Sequence, residues 1–181
     1  MGAGASPVRE ALSLLTSDQL VERIDQRGFR VSLINLKTFE ELLKTRCWLE
    51  ERALRESIGS NDVNWEERLI LAHHRLKRAA RSVDKNNFVL DTNWEELHKK
   101  FHMTLLSACG SSILIKICEQ LYDQNKRYRN IAGTNVTPKR DVTGEHDAII
   151  QHVLDKDADK ATVELIQHYK KTGELLAQQL K

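Results

Sequence analysis

Four of the seven histidines in this 181-residue sequence occupy positions that a helix would turn toward an apolar core. His98 and His102 are four residues apart, so they lie on one helix face, where two imidazoles can bind one metal ion. His146 and His168 stand at core spacing in two later helical segments. A lone core histidine is more often a hydrogen-bonded structural residue. Four buried imidazoles all need polar partners, however, and one shared divalent metal ion would satisfy them all.

The ligand type restricts the choice of metal. Neutral imidazoles favour zinc, or nickel and copper, over manganese and calcium, which prefer oxygen ligands. Because no carboxylate ligand would cancel the charge of the ion, the cavity around it would attract anions. We therefore expect zinc, with nickel as the alternative, and an organic-acid carboxylate or a water molecule as a further ligand. A metalloenzyme and a pure metal sensor remain alternatives, although the chain has no HExxH motif and no nucleophile–base pair by spacing.

The composition indicates a mainly helical, water-soluble protein. Hydrophobic residues make up 40% and charged residues 30% of the chain, with only two prolines and eight glycines. No apolar run reaches the ~18 residues of a membrane span, so the cytoplasm is the expected compartment. The three cysteines lack zinc-ribbon spacing and are expected to be reduced thiols. A net charge of +2 does not by itself indicate nucleic-acid binding, which must rest on a motif.

The hydrophobic periodicity predicts an all-α fold with one small hairpin. From residue 36 onward, six helices are predicted over residues 38–58, 62–84, 92–109, 111–135, 139–155 and 157–179. Their short connections indicate a six-helix antiparallel bundle. Before it, an apolar stripe from Val8 to Leu15 predicts one helix, and two strand-like runs around residues 25–28 predict a β-hairpin. The predicted domains are residues 1–35 and 36–181.

Two segments carry a resemblance to a known family. The stretch Ser6-Pro7-Val8-Arg9-Glu10-Ala11-Leu12, with Arg27-Gly28-Phe29-Arg30-Val31, resembles the recognition helix and wing of GntR-type regulators. The remainder is similar to the FCD effector domain of the FadR subfamily, through Arg46-xxx-Glu50, Phe101-His102, Glu145-His146 and His168. The number of helices predicted for this domain, six, is similar to that of the VanR-like branch of the subfamily. The resemblance implies a partial winged helix-turn-helix before an FCD-like bundle that binds a metal and an effector.

The resemblance also implies DNA contacts. Arg9 is similar to an arginine that reads guanine in the major groove, although a lone helix arginine is more often solvated. Ser6, near the helix start, would bind a phosphate, and Arg27 and Gly28 would enter the minor groove. The family's DNA-binding domain normally has two helices before the recognition helix, and this sequence starts within the motif. We therefore expect these 181 residues to bind operator DNA weakly, and the full-length parent protein to bind it well.

In the effector domain, the family's first metal ligand is usually aspartate, and here the corresponding residue is His98. Arg46 resembles the arginine that projects toward the effector, while an i,i+4 pair with Glu50 is an equal alternative, worth only ~0.2–0.5 kcal/mol. Arg127 and Arg129 are further candidates for binding an anion. The resemblance thus implies a ligand-responsive bacterial transcription regulator, rather than an enzyme, that acts as a homodimer on palindromic operator DNA.

Overall fold

Helices dominate the fold, and one hairpin interrupts them near the N-terminus. The computed structural model describes residues 5–17, 20–84, 88–131 and 140–179. Within those residues, the predicted helical class with one hairpin is confirmed. The elements are α1 Ala5–Ser17, β1 Val21–Ile24, β2 Gly28–Val31, α2 Leu36–Gly59, α3 Val63–Arg78, α4 Thr92–Leu106, α5 Ser112–Ile131, α6 Val142–Leu154 and α7 Ala158–Gln179.

The hairpin follows α1, and its two strands flank the turn as predicted. β1 and β2 are antiparallel, with Val21 opposite Val31 and Ile24 opposite Gly28. Gly28 has a φ of 93°, which glycine adopts without the steric cost of a Cβ. On α1, the apolar stripe is largely solvent-exposed, with Val8 48% and Leu15 37% accessible.

The bundle positions three helices around one buried centre. Helix α2 packs against α5 and α7, α3 packs against α4, and α6 packs against α7. Side-chain caps help begin two of the helices, since Asn35 accepts a hydrogen bond from the amide of Thr38 and Asp91 accepts from the amides of Asn93 and Trp94. The core includes Leu54, Trp65, Leu69, Phe101, Leu105, Ile149 and Leu165. None of the described helices combines the length and apolarity needed to cross a membrane.

The second bundle helix is shorter than the sequence pattern predicts. It ends at Arg78 rather than at residue 84, and an extended connection follows. There Ser82 pairs with Leu90 in an isolated bridge, and the Ser82 hydroxyl accepts hydrogen bonds from the amides of Asp84 and Val89. Serine competes with helix formation through such local side-chain bonds, which explains the early end. The predicted boundaries at 135 and 139 lie outside the described residues.

Candidate metal and effector site

The structure brings the four predicted histidine ligands together at one buried point. Helix α4 contributes His98 and His102, α6 contributes His146 and α7 contributes His168. One ring nitrogen from each residue lies within 4.8 Å of the others, and all four side chains are buried. The i,i+4 spacing on α4 therefore does place two imidazoles on the inner face, where those of α6 and α7 meet them.

A tyrosine and a carboxylate hold His98 in position. The Tyr122 hydroxyl donates to Glu95 at 3.1 Å and lies 2.7 Å from Nδ1 of His98. We assign its single proton to the Glu95 carboxylate, which leaves the tyrosine oxygen to accept the Nδ1–H of His98. Arg129 holds Glu95 in turn through an ion pair of 2.5 Å. This chain of contacts fixes both the ring orientation and the tautomer of His98.

His102 has the same kind of support from a different helix. The Tyr169 hydroxyl donates to Glu50 and lies 3.1 Å from Nδ1 of His102. Glu50 also accepts from Arg46 at 2.7 Å, and the Arg46 guanidinium carbon lies 4.3 Å from the centre of the Tyr169 ring. We again assign the tyrosine proton to the carboxylate, here that of Glu50. The Nδ1 atom of His102 is then the donor to the tyrosine oxygen.

His168 is held directly by a carboxylate. Its Nδ1 lies 2.7 Å from Glu145, which Arg140 also binds at 2.5 Å. Burial would raise the pKa of Glu145, but the hydrogen bonds from His168 and Arg140 outweigh it and hold that pKa well below its usual range. The carboxylate is therefore ionised, and it accepts the Nδ1 proton of His168.

These contacts leave lone pairs facing one another at the centre. With Nδ1 assigned as the donor in His98 and in His102, their Nε2 atoms are both acceptors, and these two atoms are only 3.0 Å apart. The Nε2 atom of His146 is buried and has no hydrogen-bond partner among the described residues. Buried acceptors without a donor are costly, and a cation is the partner that would satisfy them together.

The imidazoles are also kept neutral. Burial lowers the pKa of His168 to about 4 against the opposing hydrogen bond to Glu145, and the charge of Arg140 adds a smaller lowering. Burial, followed by the neighbouring histidines, holds the pKa values of His98, His102 and His146 well below their usual range. Neutral imidazole is the form that binds a metal ion, so the site needs no deprotonation at neutral pH.

A cavity of about 240 Å³ opens beside three of the histidines. Its wall combines apolar side chains, two tyrosines and four arginines. The lining residues are Leu43, Arg46, Arg81, Phe88, Leu90, Trp94, Glu95, His98, His102, Tyr122, Asn125, Arg129, Asn130, Arg140, Val142, His168, Tyr169 and Thr172. The volume is large enough for a small organic molecule, and the arginines make an anion the favoured occupant.

The predicted arginines differ in where they lie. Arg46 forms the i,i+4 pair with Glu50 and also lines the cavity, so both interpretations of it stay open. Arg129 lines the cavity as well. Arg127 does not. It extends from α5 to the backbone carbonyl of Ser32, just after the hairpin.

Sequence reasoning missed two cavity arginines and both supporting tyrosines. Arg81 and Arg140 belong to irregular connections, where periodicity does not indicate side-chain direction. Tyr169 adjoins the predicted ligand His168 in the sequence, and Glu145 adjoins the predicted ligand His146. For Tyr169 and Glu145, proximity to a predicted ligand was therefore the available signal. Tyr122 had no such neighbour.

The predicted DNA-facing residues lie on the surface of the helix–hairpin unit. Ser6 and Arg9 are exposed on α1, and Arg27 is exposed at the hairpin turn. Arg9 and Gly28 line one groove together with Arg23, whereas Ser6 and Arg27 are outside its lining. The Ser6 hydroxyl donates to Glu10 within the helix at 3.3 Å. Two of the four predicted residues thus share one surface.

Two known protein families match separate parts of the chain. Residues 41–171 match the FCD domain, and residues 1–31 match the bacterial regulatory proteins of the gntR family. Among curated relatives, the HTH-type transcriptional regulator BphR of Paraburkholderia xenovorans is 37% identical over 161 residues. That match covers 89% of this chain and 66% of BphR. The HTH-type transcriptional repressor GlaR of Escherichia coli is 28% identical, over 91% of this chain and 76% of the repressor.

Solved structures share the fold. Escherichia coli McbR/YncC aligns with a TM-score of 0.80 at 18% identity, over 99% of this chain and 83% of that one. The metal-free FCD domain of TM0439 aligns with a TM-score of 0.63 at 17% identity, over 82% of this chain and 98% of that domain. The curated relatives are named transcriptional regulators, which confirms the expectation of a regulator rather than an enzyme. The chain belongs to the GntR family of bacterial transcription regulators and carries an FCD domain.

Proposed function

We propose that this regulator responds to a small organic acid, which it binds with the help of a buried divalent metal ion in its helical domain. Zinc is the proposed ion, with nickel as the alternative, and its ligands are the imidazoles of His98, His102, His146 and His168. When bound, the ion would supply positive charge and a coordination position that a carboxylate can share. The chain's own residues would orient the imidazoles and bind the rest of the acid.

One observation supports the metal above all others. The Nε2 atoms of His98 and His102 lie 3.0 Å apart, and both are acceptors once the protons of the two supporting tyrosines are assigned to Glu95 and Glu50. Two lone pairs at that distance repel each other in a buried site, and a shared cation turns the repulsion into attraction. A structural histidine cluster would instead be expected to pair each acceptor with a donor.

The arginines support an organic acid as the effector. Arg46 lines the cavity, is only 2% exposed, and its Nη2 atom has no hydrogen-bond partner among the described residues. A carboxylate is the ligand that matches a guanidinium geometrically, and it would satisfy this buried donor. The cavity beside the histidines also favours an effector over a sensor in which the ion alone is the signal, since an ion needs no space of this size.

The regulatory output would come from the N-terminal part. We propose residues 1–35 as the DNA-binding part, with Arg9 reading a base, Ser6 binding a phosphate, and Arg27 and Gly28 at the wing. Residues 36–181 form the metal- and effector-binding part. Two copies of the protein would bind a palindromic operator as a homodimer, and the effector would favour one dimer geometry over another.

Calorimetry on the zinc-loaded and the chelator-treated protein tests this proposal. We expect acetate, lactate or succinate to bind the loaded form at least about tenfold more tightly than the metal-free form. Arg46→Met should weaken the binding further, whereas Arg68→Met, a change to an exposed arginine on α3, should leave it unchanged. Equal affinity in both forms of the protein would contradict a role of the metal in effector binding.

A further inference from the structure

Arg81 differs from the other arginines of the cavity in how it is held. It belongs to the connection between α3 and α4, where its carbonyl accepts from the amide of Asp91 at 3.1 Å. Its guanidinium carbon lies 5.2 Å from the ring centre of Phe88 and 5.4 Å from that of Trp94. Aromatic rings rather than acidic groups therefore position this cation at the cavity wall.

The other three cavity arginines each hold a carboxylate. Their ion pairs are Arg46–Glu50, Arg129–Glu95 and Arg140–Glu145. Arg81 makes no ion pair with any described residue, and its Nε atom is buried without a hydrogen-bond partner there. Burial, followed by repulsion from Arg140 and Arg129, lowers the pKa of Arg81, which remains a cation at neutral pH.

This pairing leaves an excess of positive charge at the wall. Three of the four guanidinium groups are neutralised by glutamates, and the fourth is not. The neutral imidazoles do not offset this positive charge, and a bound divalent ion would add to it. An effector with a single carboxylate at the metal would leave Arg81 desolvated and without an ion-pair partner among the described residues, which is unfavourable.

We propose that Arg81 binds a second anionic group of the effector, so that the effector is a dicarboxylate. This inference rests on the proposed function, in which the first carboxylate lies at the metal and Arg46. Arg81 would then be a specificity-determining residue that distinguishes dicarboxylates from monocarboxylates.

The position of Trp94 supports a short dicarboxylate. Its ring stacks on that of His98, with centroids 4.6 Å apart and an interplanar angle of 15°, and it also contacts the guanidinium of Arg81. One indole thus lies against a proposed metal ligand and against the proposed site of the second carboxylate. Leu43, Leu90 and Val142 line the same cavity and would contact the methylene groups between the two carboxylates.

The test compares acids that differ in one carboxylate. Zinc-loaded protein is titrated calorimetrically with the saturated dicarboxylates from succinate to adipate, each against the monocarboxylate of equal chain length. We expect at least one dicarboxylate to bind about ten- to a hundredfold more tightly than its partner, as a charged hydrogen-bonded pair would provide. Arg81→Met keeps the aliphatic stem and should abolish this preference without weakening the monocarboxylates, while Arg68→Met should preserve it.

The outcomes separate the two proposals. If dicarboxylates and monocarboxylates bind the wild-type protein equally well, the inference about Arg81 is wrong and the proposed function stands. If neither class binds, both are wrong. The comparison within the wild-type protein does not depend on the folding of any variant. A dicarboxylate preference that survives in Arg81→Met would assign the second carboxylate to another residue and would also overturn the inference.

Discussion

The hydroxyl of Tyr169 lies between Glu50 and His102, donating its proton to the carboxylate and accepting that of the imidazole Nδ1. This one contact decides which nitrogen of His102 carries a lone pair at the centre of the site. Tyr122 does the same for His98 by way of Glu95. Glu95 and Glu50 therefore act on His98 and His102 through two tyrosine hydroxyls, and this relationship can be tested by removing single oxygen atoms.

Tyr169→Phe should weaken metal binding while preserving the fold. The ring still packs, but Nδ1 of His102 loses its acceptor and the imidazole is free to change tautomer or rotate. Loss of such a support typically costs about 10- to 100-fold in metal affinity. Competition with a chromophoric chelator measures the change. Tyr128→Phe removes a hydroxyl outside the cavity lining and is the matched control, and equal affinities in the two variants would refute the positioning role of Tyr169.

Metal binding should raise thermal stability. A ligand that binds only the folded protein adds about 2.7 kcal/mol when its free concentration is 100 times its Kd. For a chain of this size we expect the midpoint of unfolding to rise by roughly 5–10 °C when zinc is added to chelator-treated protein. Differential scanning calorimetry measures the rise, and His102→Gln should remove it. His74→Gln changes an exposed histidine and should retain the full effect. A rise that persists in His102→Gln would place the stabilising ion elsewhere.

The metal-free protein should lose stability in mild acid. Burial lowers the pKa of His168 to about 4 and those of the other three imidazoles well below their usual range, whereas all four return to about 6.5 on unfolding. The unfolded chain therefore binds more protons below that pH. The contribution is fully present above about pH 6.5 and declines as the pH falls toward 4. Urea unfolding across this range measures the slope, which should be shallower in His168→Gln than in His74→Gln. Equal slopes would indicate that His168 does not contribute.

Arg127 connects the bundle to the segment after the hairpin. Its guanidinium donates to the carbonyl of Ser32, and the next residue, Tyr128, packs on Phe39 at the start of α2. Arg127→Met should loosen residues 32–35 and speed tryptic cleavage at Arg30 or Lys37 several-fold, since cleavage follows local opening. Lys116→Met, on an exposed position of the same helix, is the control. Unchanged cleavage rates would mean that the contact does not restrain this segment.

The sequence predicted the helical fold and the meeting of the histidines because both depend on helical periodicity. His98 and His102 share a face of α4 in any helix, and the apolar neighbours of His146 and His168 point those residues inward. The hairpin followed from the turn residues before Gly28, whose positive φ the structure bears out.

Helical periodicity also limits which of the predicted arginines, Arg127 and Arg129, can line the cavity. Two residues apart on a helix, they point to nearly opposite sides, so only one of them can line a given cavity. The structure places Arg129 in the lining and Arg127 at Ser32. Arg81 and Arg140 lie in irregular segments, where tertiary packing rather than local pattern directs the side chain. Among the glutamate partners, Glu50 and Glu145 lie four and five residues from their arginines, and Glu95 is distant in sequence from Arg129.

Metal stoichiometry tests the central claim most directly. The purified 181-residue protein is stripped with a chelator, dialysed against a slight excess of zinc, and assayed for bound metal by atomic emission. The four-histidine site predicts about one equivalent per chain in the wild type and in His74→Gln, falling toward zero when His102 and His168 are both replaced by glutamine. A wild-type protein that retains no zinc, or a double variant that retains as much as the wild type, would contradict the account.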